Sequence, residues 1–229
     1  MTLKRGESLL LALGIPVLLL VFFSLVDVLP KPPETKHAVD FLAPGILALA
    51  VMSTAMVSLG IATGFERQYG VLKRLGTTPL GRPALLAAKT TAIILIEVIQ
   101  LVVLAPVALL LGWNPGGGAV AALGLVLLGT IAFAGLGLLM AGSLRAEITL
   151  AAANGLYLVL LLLGGMVFDL AKLPGVLRGI ARALPAAALA DGLRAAIGTG
   201  APVPGHSWLV LGIWAVATPV AAALTFRWE

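Results

Sequence analysis

Few side chains in this sequence can do chemistry, and most of them sit at the ends of apolar runs. Glu97 is the exception. It lies inside the uncharged stretch that follows Lys89, with Gln100 three residues on and on the same helical face. At 1.5 Å per residue Glu97 is about 12 Å deeper than Lys89. A carboxylate at that depth is costly and marks a cavity, a proton relay or a contact with another helix. Asn154, in a later run, suits a hydrogen bond between helices. Together Glu97, Gln100 and Asn154 are the polar groups that could line a path through the apolar runs. Hydrolytic chemistry finds no footing. His37 and His206 fall in loops or at a run end, and Ser143 lies beside the basic turn at Arg145, so no Ser–His pair can be drawn at matching depth. His-Glu-x-x-His is absent, and so is the P-loop: Ala88-Lys89-Thr90 has the Lys-Thr pair without the preceding glycine. With no cysteine there is neither a thiolate metal site nor a thiol nucleophile. The expectation is a chain that is no enzyme and binds no cofactor itself.

The elements that must position these residues follow from composition. Of 229 residues, 60% are hydrophobic and only 11% charged. Soluble domains average about 45–50% and about 25%, so the solvent for this chain is lipid. Long apolar runs and 6% aromatics argue against an outer-membrane barrel, whose strands alternate faces. A crossing takes about 20 apolar residues. Six runs qualify: Ser8–Val28, Phe41–Gly64, Leu85–Leu111, Val120–Ala141, Ile148–Phe168 and Trp208–Phe226. The first exceeds the apolar core of a signal peptide and lacks an A-x-A site, so it reads as an uncleaved span. The expected fold is an all-α polytopic membrane protein, one domain of six transmembrane helices.

The polar stretch Asp27–Asp40 carries three prolines and cannot be helical through its middle. In Asp169–Gly205, Pro174, Pro185 and Pro202 interrupt, while Lys172, Arg178, Arg182, Asp191 and Arg194 add charge. That predicts two half-length helices, Gly175–Leu184 and Ala187–Ile197, dipping into the membrane interface. The second places Leu189, Leu193 and Ile197 on one face. The formal charge of +5 comes from Lys and Arg that flank apolar runs, so it sets topology and implies no nucleic-acid partner. The densest cluster, Arg67 to Lys89, goes inside, with both termini cytoplasmic.

That cluster carries a pattern. Phe65, Tyr69, Leu72 and Leu75 recur at the spacing of one helical face, with Glu66, Arg67, Lys73 and Arg74 mostly off it. Gly76 and Pro79 suit a helix stop, and Pro83 the first turn of the next helix. The spacing predicts a short amphipathic helix over Phe65–Leu75 on the cytoplasmic surface. The segment resembles the first cytoplasmic loop of the ABC type-2 export permeases, E-R-E-x-G-T-L-x-R-L-x-x-T-P-L-S-R-x-E-L-L-x-G-K. Glu66, Arg67, Gly70, Leu72, Arg74, Leu75, Thr78, Pro79, Leu80, Arg82 and Lys89 stand at matching places. A second match joins Gly164 and Gly165 at a span end to Leu173, Pro174, Pro185, Asp191, Leu193 and Arg194. The family opens with a longer interfacial helix, whereas Met1–Glu7 alone precede the first run here.

The resemblance implies a permease of the cell (inner) membrane. Its loop, with Glu66, Arg67, Gly70, Leu72, Lys73, Arg74, Pro79 and Arg82, would couple to a separate nucleotide-binding ATPase subunit holding ATP and Mg. Pro174, Pro185, Asp191 and Arg194 would belong to an outer gate. Six spans are too few for a full pathway, so a second permease chain is expected, as a homodimer or heterodimer. A mostly aliphatic lining suits an amphipathic small molecule, drug or lipid as cargo. The rival reading is a proton-coupled secondary transporter using Glu97. Such a carrier normally shows more intramembrane charges and an internal repeat, and neither is visible.

Overall fold

The structure, a computed structural model, describes residues 3–26, 38–71, 82–167, 170 and 173–226. We number its helices α1 (Leu3–Leu25), α2 (Ala38–Gln68), α3 (Arg82–Leu110), α4 (Ala119–Ser143), α5 (Ala146–Leu163), α6 (Gly175–Arg182), α7 (Pro185–Leu193) and α8 (Gly205–Thr225). Among the described residues there is no strand. Among the described residues five helices are long and apolar enough to cross a membrane: α2, Ala87–Leu110 of α3, α4, α5 and α8. Ala12–Leu25 of α1 is a shorter apolar helical stretch. The chain is an all-α polytopic membrane protein.

Helices α2 and α4 form the centre. The sequence Phe41–Phe65 has no charge on any side, which suits a helix surrounded by others. The apolar window of α2 is 72% buried, against 22% for that of α5. Close approach is secured by small residues. A Cβ on Gly137 of α4 would stand 2.6 Å from the Met56 carbonyl oxygen, so α4 meets α2 backbone to backbone. On its other side α4 carries α8, where Thr218 Oγ1 donates to Ala132 O at 2.8 Å. Midway along, α2 widens into a π turn, Ser53–Ser58.

Three sequence expectations are corrected. The fifth span was expected to reach Phe168, but α5 stops at Leu163, because Gly165 adopts φ +65°. The single helix expected over Phe65–Leu75 is divided. Phe65–Gln68 is the last turn of α2, Tyr69 is its C-cap, and Gly70 at φ +70° turns the chain out of the helix. The periodicity was real, but a glycine free to adopt the left-handed region ends a helix readily. Leu72, Lys73, Arg74 and Pro79 lie outside the described residues. Arg82 begins α3, and its side chain is likewise outside them.

The third correction concerns the half-length helices. Both form, yet only α6 is peripheral, with Val176 and Ile180 exposed. Helix α7 is embedded against α2, α4 and α8 rather than lying in the interface. Its composition explains this: PAAALADGL has side chains small enough for neighbouring helices to close around it. Leu189 and Leu193 are buried as expected, and Gly129 of α4 makes room for Leu189.

Candidate functional site

The last turn of α2 lies beside the α4–α5 turn, and its polar side chains reach the other helices. Arg67 Nη1 donates to Gly142 O at 2.6 Å and Nη2 to Leu144 O. These carbonyls belong to the C-terminal end of α4, where oxygens lack intrahelical partners and the helix dipole favours a cation. Gln68 Nε2 donates to Glu147 Oε1 on α5 at 2.6 Å. Glu66 forms an ion pair with Lys89 of α3. One helical turn is therefore fastened to three other helices. Phe65 stacks on Tyr69, with ring centroids 6.1 Å apart. Tyr69 is 71% exposed and Val71 41%, so they face away from the bundle beside Gly70. A Cβ on Gly70 would meet nothing within 4 Å.

At mid-bundle, Glu97 and Gln100 lie on one face of α3, as their spacing requires, and both are buried. Thr130 of α4 stands 2.5 Å from Glu97 Oε2. Gln100 Nε2 donates at 2.9 Å both to Ala12 O of α1 and to Thr54 Oγ1 in the π turn of α2. These residues therefore join helices. Asn154 is different. Its Nδ2 donates to Leu150 O within its own helix, leaving the residue exposed. It lines a cleft of about 180 Å³ between α1, α2 and α5, with Ile15, Pro16, Ser53, Val57 and Tyr157.

The opposite end of the bundle centres on Arg194. Its Nη2 donates to Gly165 O and, at 3.0 Å, to Met166 O, just past the end of α5. Asp191 lies 3.5 Å from Nη1, and the guanidinium sits 3.9 Å over the Phe41 ring at the start of α2. Pro174 is the N-cap of α6, and Pro185 opens α7. Proline costs no hydrogen bond there. A π turn, Arg194–Thr199, follows α7. The loop before α4 closes on it, with Gly116 N donating to Ile197 O at 3.0 Å and Gly118 N to Ala196 O at 3.2 Å. Of the four expected gate residues, Asp191 and Arg194 come together, and the two prolines set helix starts nearby.

Sequence reasoning missed the partners. Glu147, Thr54, Thr130 and Phe41 were not singled out, because a threonine in an apolar run and a phenylalanine at a run's start are ordinary. Lys89 carried a signal, being the one charge on the bundle side of Pro83 before Glu97.

A helical bundle crossing the membrane several times, with a cleft between its helices, defines a polytopic membrane protein. A family model described as ABC-2 type transporter matches residues 2–197. The chain belongs to that family and is an ABC transporter permease subunit. In this family the membrane component works with a separate ATP-binding subunit. A comparison with curated proteins gives no match.

Proposed function

We propose that the chain is the permease of an ATP-driven exporter in the cell (inner) membrane. It moves an amphipathic or hydrophobic substrate (drug, antibiotic or lipid) outward. ATP and Mg reside on the separate nucleotide-binding subunit, and a second permease chain completes the pathway. The observation that carries this reading is the anchored last turn of α2. A push on Tyr69, Gly70 or Val71 is delivered through Arg67, Gln68 and Glu66 to α4, α5 and α3 together. Side chains that a soluble partner could grip face out, and those that transmit face in. The cleft lined by Asn154 supports an amphipathic cargo, since one amide, one phenol and the Ser53 hydroxyl sit among aliphatic walls. The proton-coupled reading gains no support from the site, because Glu97 faces Thr130 rather than that cleft.

The test is to co-express the permease with its ATPase subunit and to replace Tyr69 with Ala and Val71 with Asp. The double variant should accumulate normally but lose co-purification of the ATPase and ATP-dependent export. Export by the permease alone in proteoliposomes, driven by a proton gradient, would overturn the reading. Orientation has its own test. Cysteines placed at Gln68 and Thr199, both exposed, should react with an impermeant thiol reagent on intact cells at Thr199 only.

A further inference from the structure

Glu97 is 6% exposed, and its Oε1 has no hydrogen-bond partner. Hydrogen bookkeeping at its other oxygen fixes what the carboxyl group must be. Thr130 Oγ1 lies 2.5 Å from Glu97 Oε2 and 2.8 Å from Val126 O, the carbonyl one turn back in its own helix. A threonine hydroxyl carries one hydrogen, and Val126 O can only accept. If Glu97 were ionised, Thr130 would give that hydrogen to the carboxylate and its contact with Val126 would carry none. A full negative charge would then remain buried, with Oε1 unpaired. If Glu97 keeps its proton, Oε2–H donates to Thr130 Oγ1 and Thr130 donates to Val126 O. Both short contacts are then hydrogen bonds, and Oε1 is a neutral carbonyl oxygen, far cheaper to leave unpaired than a charge.

The surroundings point the same way. Among the described side chains, nothing charged faces Glu97 from the helices packed around it. Between Asp40 and Glu66 helix α2 has no titratable side chain, and α4 has none along its length. The described side chains of α1, from Ala12 onward, include none either. Lys89 on its own helix is two turns away and is paired with Glu66.

We propose that Glu97 is a proton-binding site inside the membrane. It is a neutral carboxylic acid whose O–H, relayed by Thr130 to Val126 O, pins α3 to α4, while Gln100 pins α3 to α1 and to the π turn of α2. Glu97 is a positioning residue: its proton is part of the fold and stays in place, whatever the cargo.

Infrared spectroscopy of the protein reconstituted in lipid at neutral pH reads this directly. Glutamate labelled with a carbon isotope should show a protonated carboxylic C=O band, because exposed acids are ionised there. Glu97→Gln should abolish that band, and Thr130→Val should shift it without removing it. A purely structural carboxylate would give no acid band in any variant, and that result would overturn the proposal. A carboxylate neutralised by a metal cation would likewise give none. A band surviving in Glu97→Gln would assign the proton elsewhere and equally overturn it. Glu97→Gln keeps a donor for Thr130 and should purify at wild-type yield, whereas Glu97→Ala should not. Should Glu97→Gln fail to purify, the shift of the band in Thr130→Val decides: a shift supports the relay, and an unmoved band overturns it.

Discussion

Arg67 and Arg194 do the same elementary job at opposite ends of the bundle, yet their surroundings are built differently. Each guanidinium reaches carbonyl oxygens at the C-terminal end of a neighbouring helix, α4 for Arg67 and α5 for Arg194. Around Arg67 the other ties are long, partly exposed side chains, Glu66–Lys89 and Gln68–Glu147. Around Arg194 the ties run through backbone. Gly116 and Gly118 lie against the π turn after α7, and a Cβ on Gly45 of α2 would collide with Met166 O. Side-chain tethers can lengthen and swing while staying attached. Backbone contacts at glycine leave no slack, so that end holds or parts as a unit. The first construction suits a place where motion enters, the second a place that is shut or open.

Substitutions should separate the two constructions. Arg194→Ala is expected to do most harm. It removes two bonds from a charged donor, each worth about 1.5–3 kcal/mol, along with the stacking on Phe41. Thermal unfolding in detergent should show it, and Arg194→Lys should rescue little, because an ammonium lacks the planar fork. Arg67→Ala breaks two similar bonds at a half-buried site and should cost about 2 kcal/mol. Its larger mark should fall on transport, as ATP turnover that persists while export drops. If both arginines lowered stability equally and Arg67→Ala left export intact, the contrast between the ends would collapse. Gly70→Ala should cost about 1–2 kcal/mol, the penalty for a side chain at positive φ, with no added clash, since the space beside it is open. Smallest is the Glu66–Lys89 pair, where an ion pair of this exposure is worth about 0–1 kcal/mol. The reversed pair, Glu66→Lys with Lys89→Glu, should recover any export lost by either change alone.

The apolar runs made the helices legible, because the length of a crossing and the exclusion of charge from lipid leave few alternatives. The proline and charge pattern of Asp169–Gly205 likewise gave two short helices and their limits to within a few residues. What the sequence did not disclose is where those helices go. α7 looks amphipathic on paper, and its own small side chains, with Gly129 of α4 making room for Leu189, explain why it is engulfed. The face shared by Glu97 and Gln100 followed from spacing, but their partners Thr130 and Thr54 depend on helix pairing, which periodicity does not encode. Glu66 and Arg67 read as a surface for a partner protein. The structure turns them inward: Arg67 caps the carbonyl end of α4 and Glu66 pairs with Lys89 of α3.

The π turn at Ser53–Ser58 has a consequence for any scan along α2. One extra residue in a turn rotates everything beyond it by about 100° relative to an uninterrupted helix. From Leu42 to Met52 α2 is buried on every side, so the displacement shows only beyond the turn, where Leu59, Gly60, Thr63 and Gly64 are buried while Ser58 and Ala62 are exposed. Reactivity read residue by residue should be uniformly low from Leu42 to Met52 and periodic only after the turn, with Ser58 and Ala62 reactive and Leu59, Gly60, Thr63 and Gly64 protected. The helical wheel that fits the Asp40 half will mislabel the faces of the half that leads to Arg67.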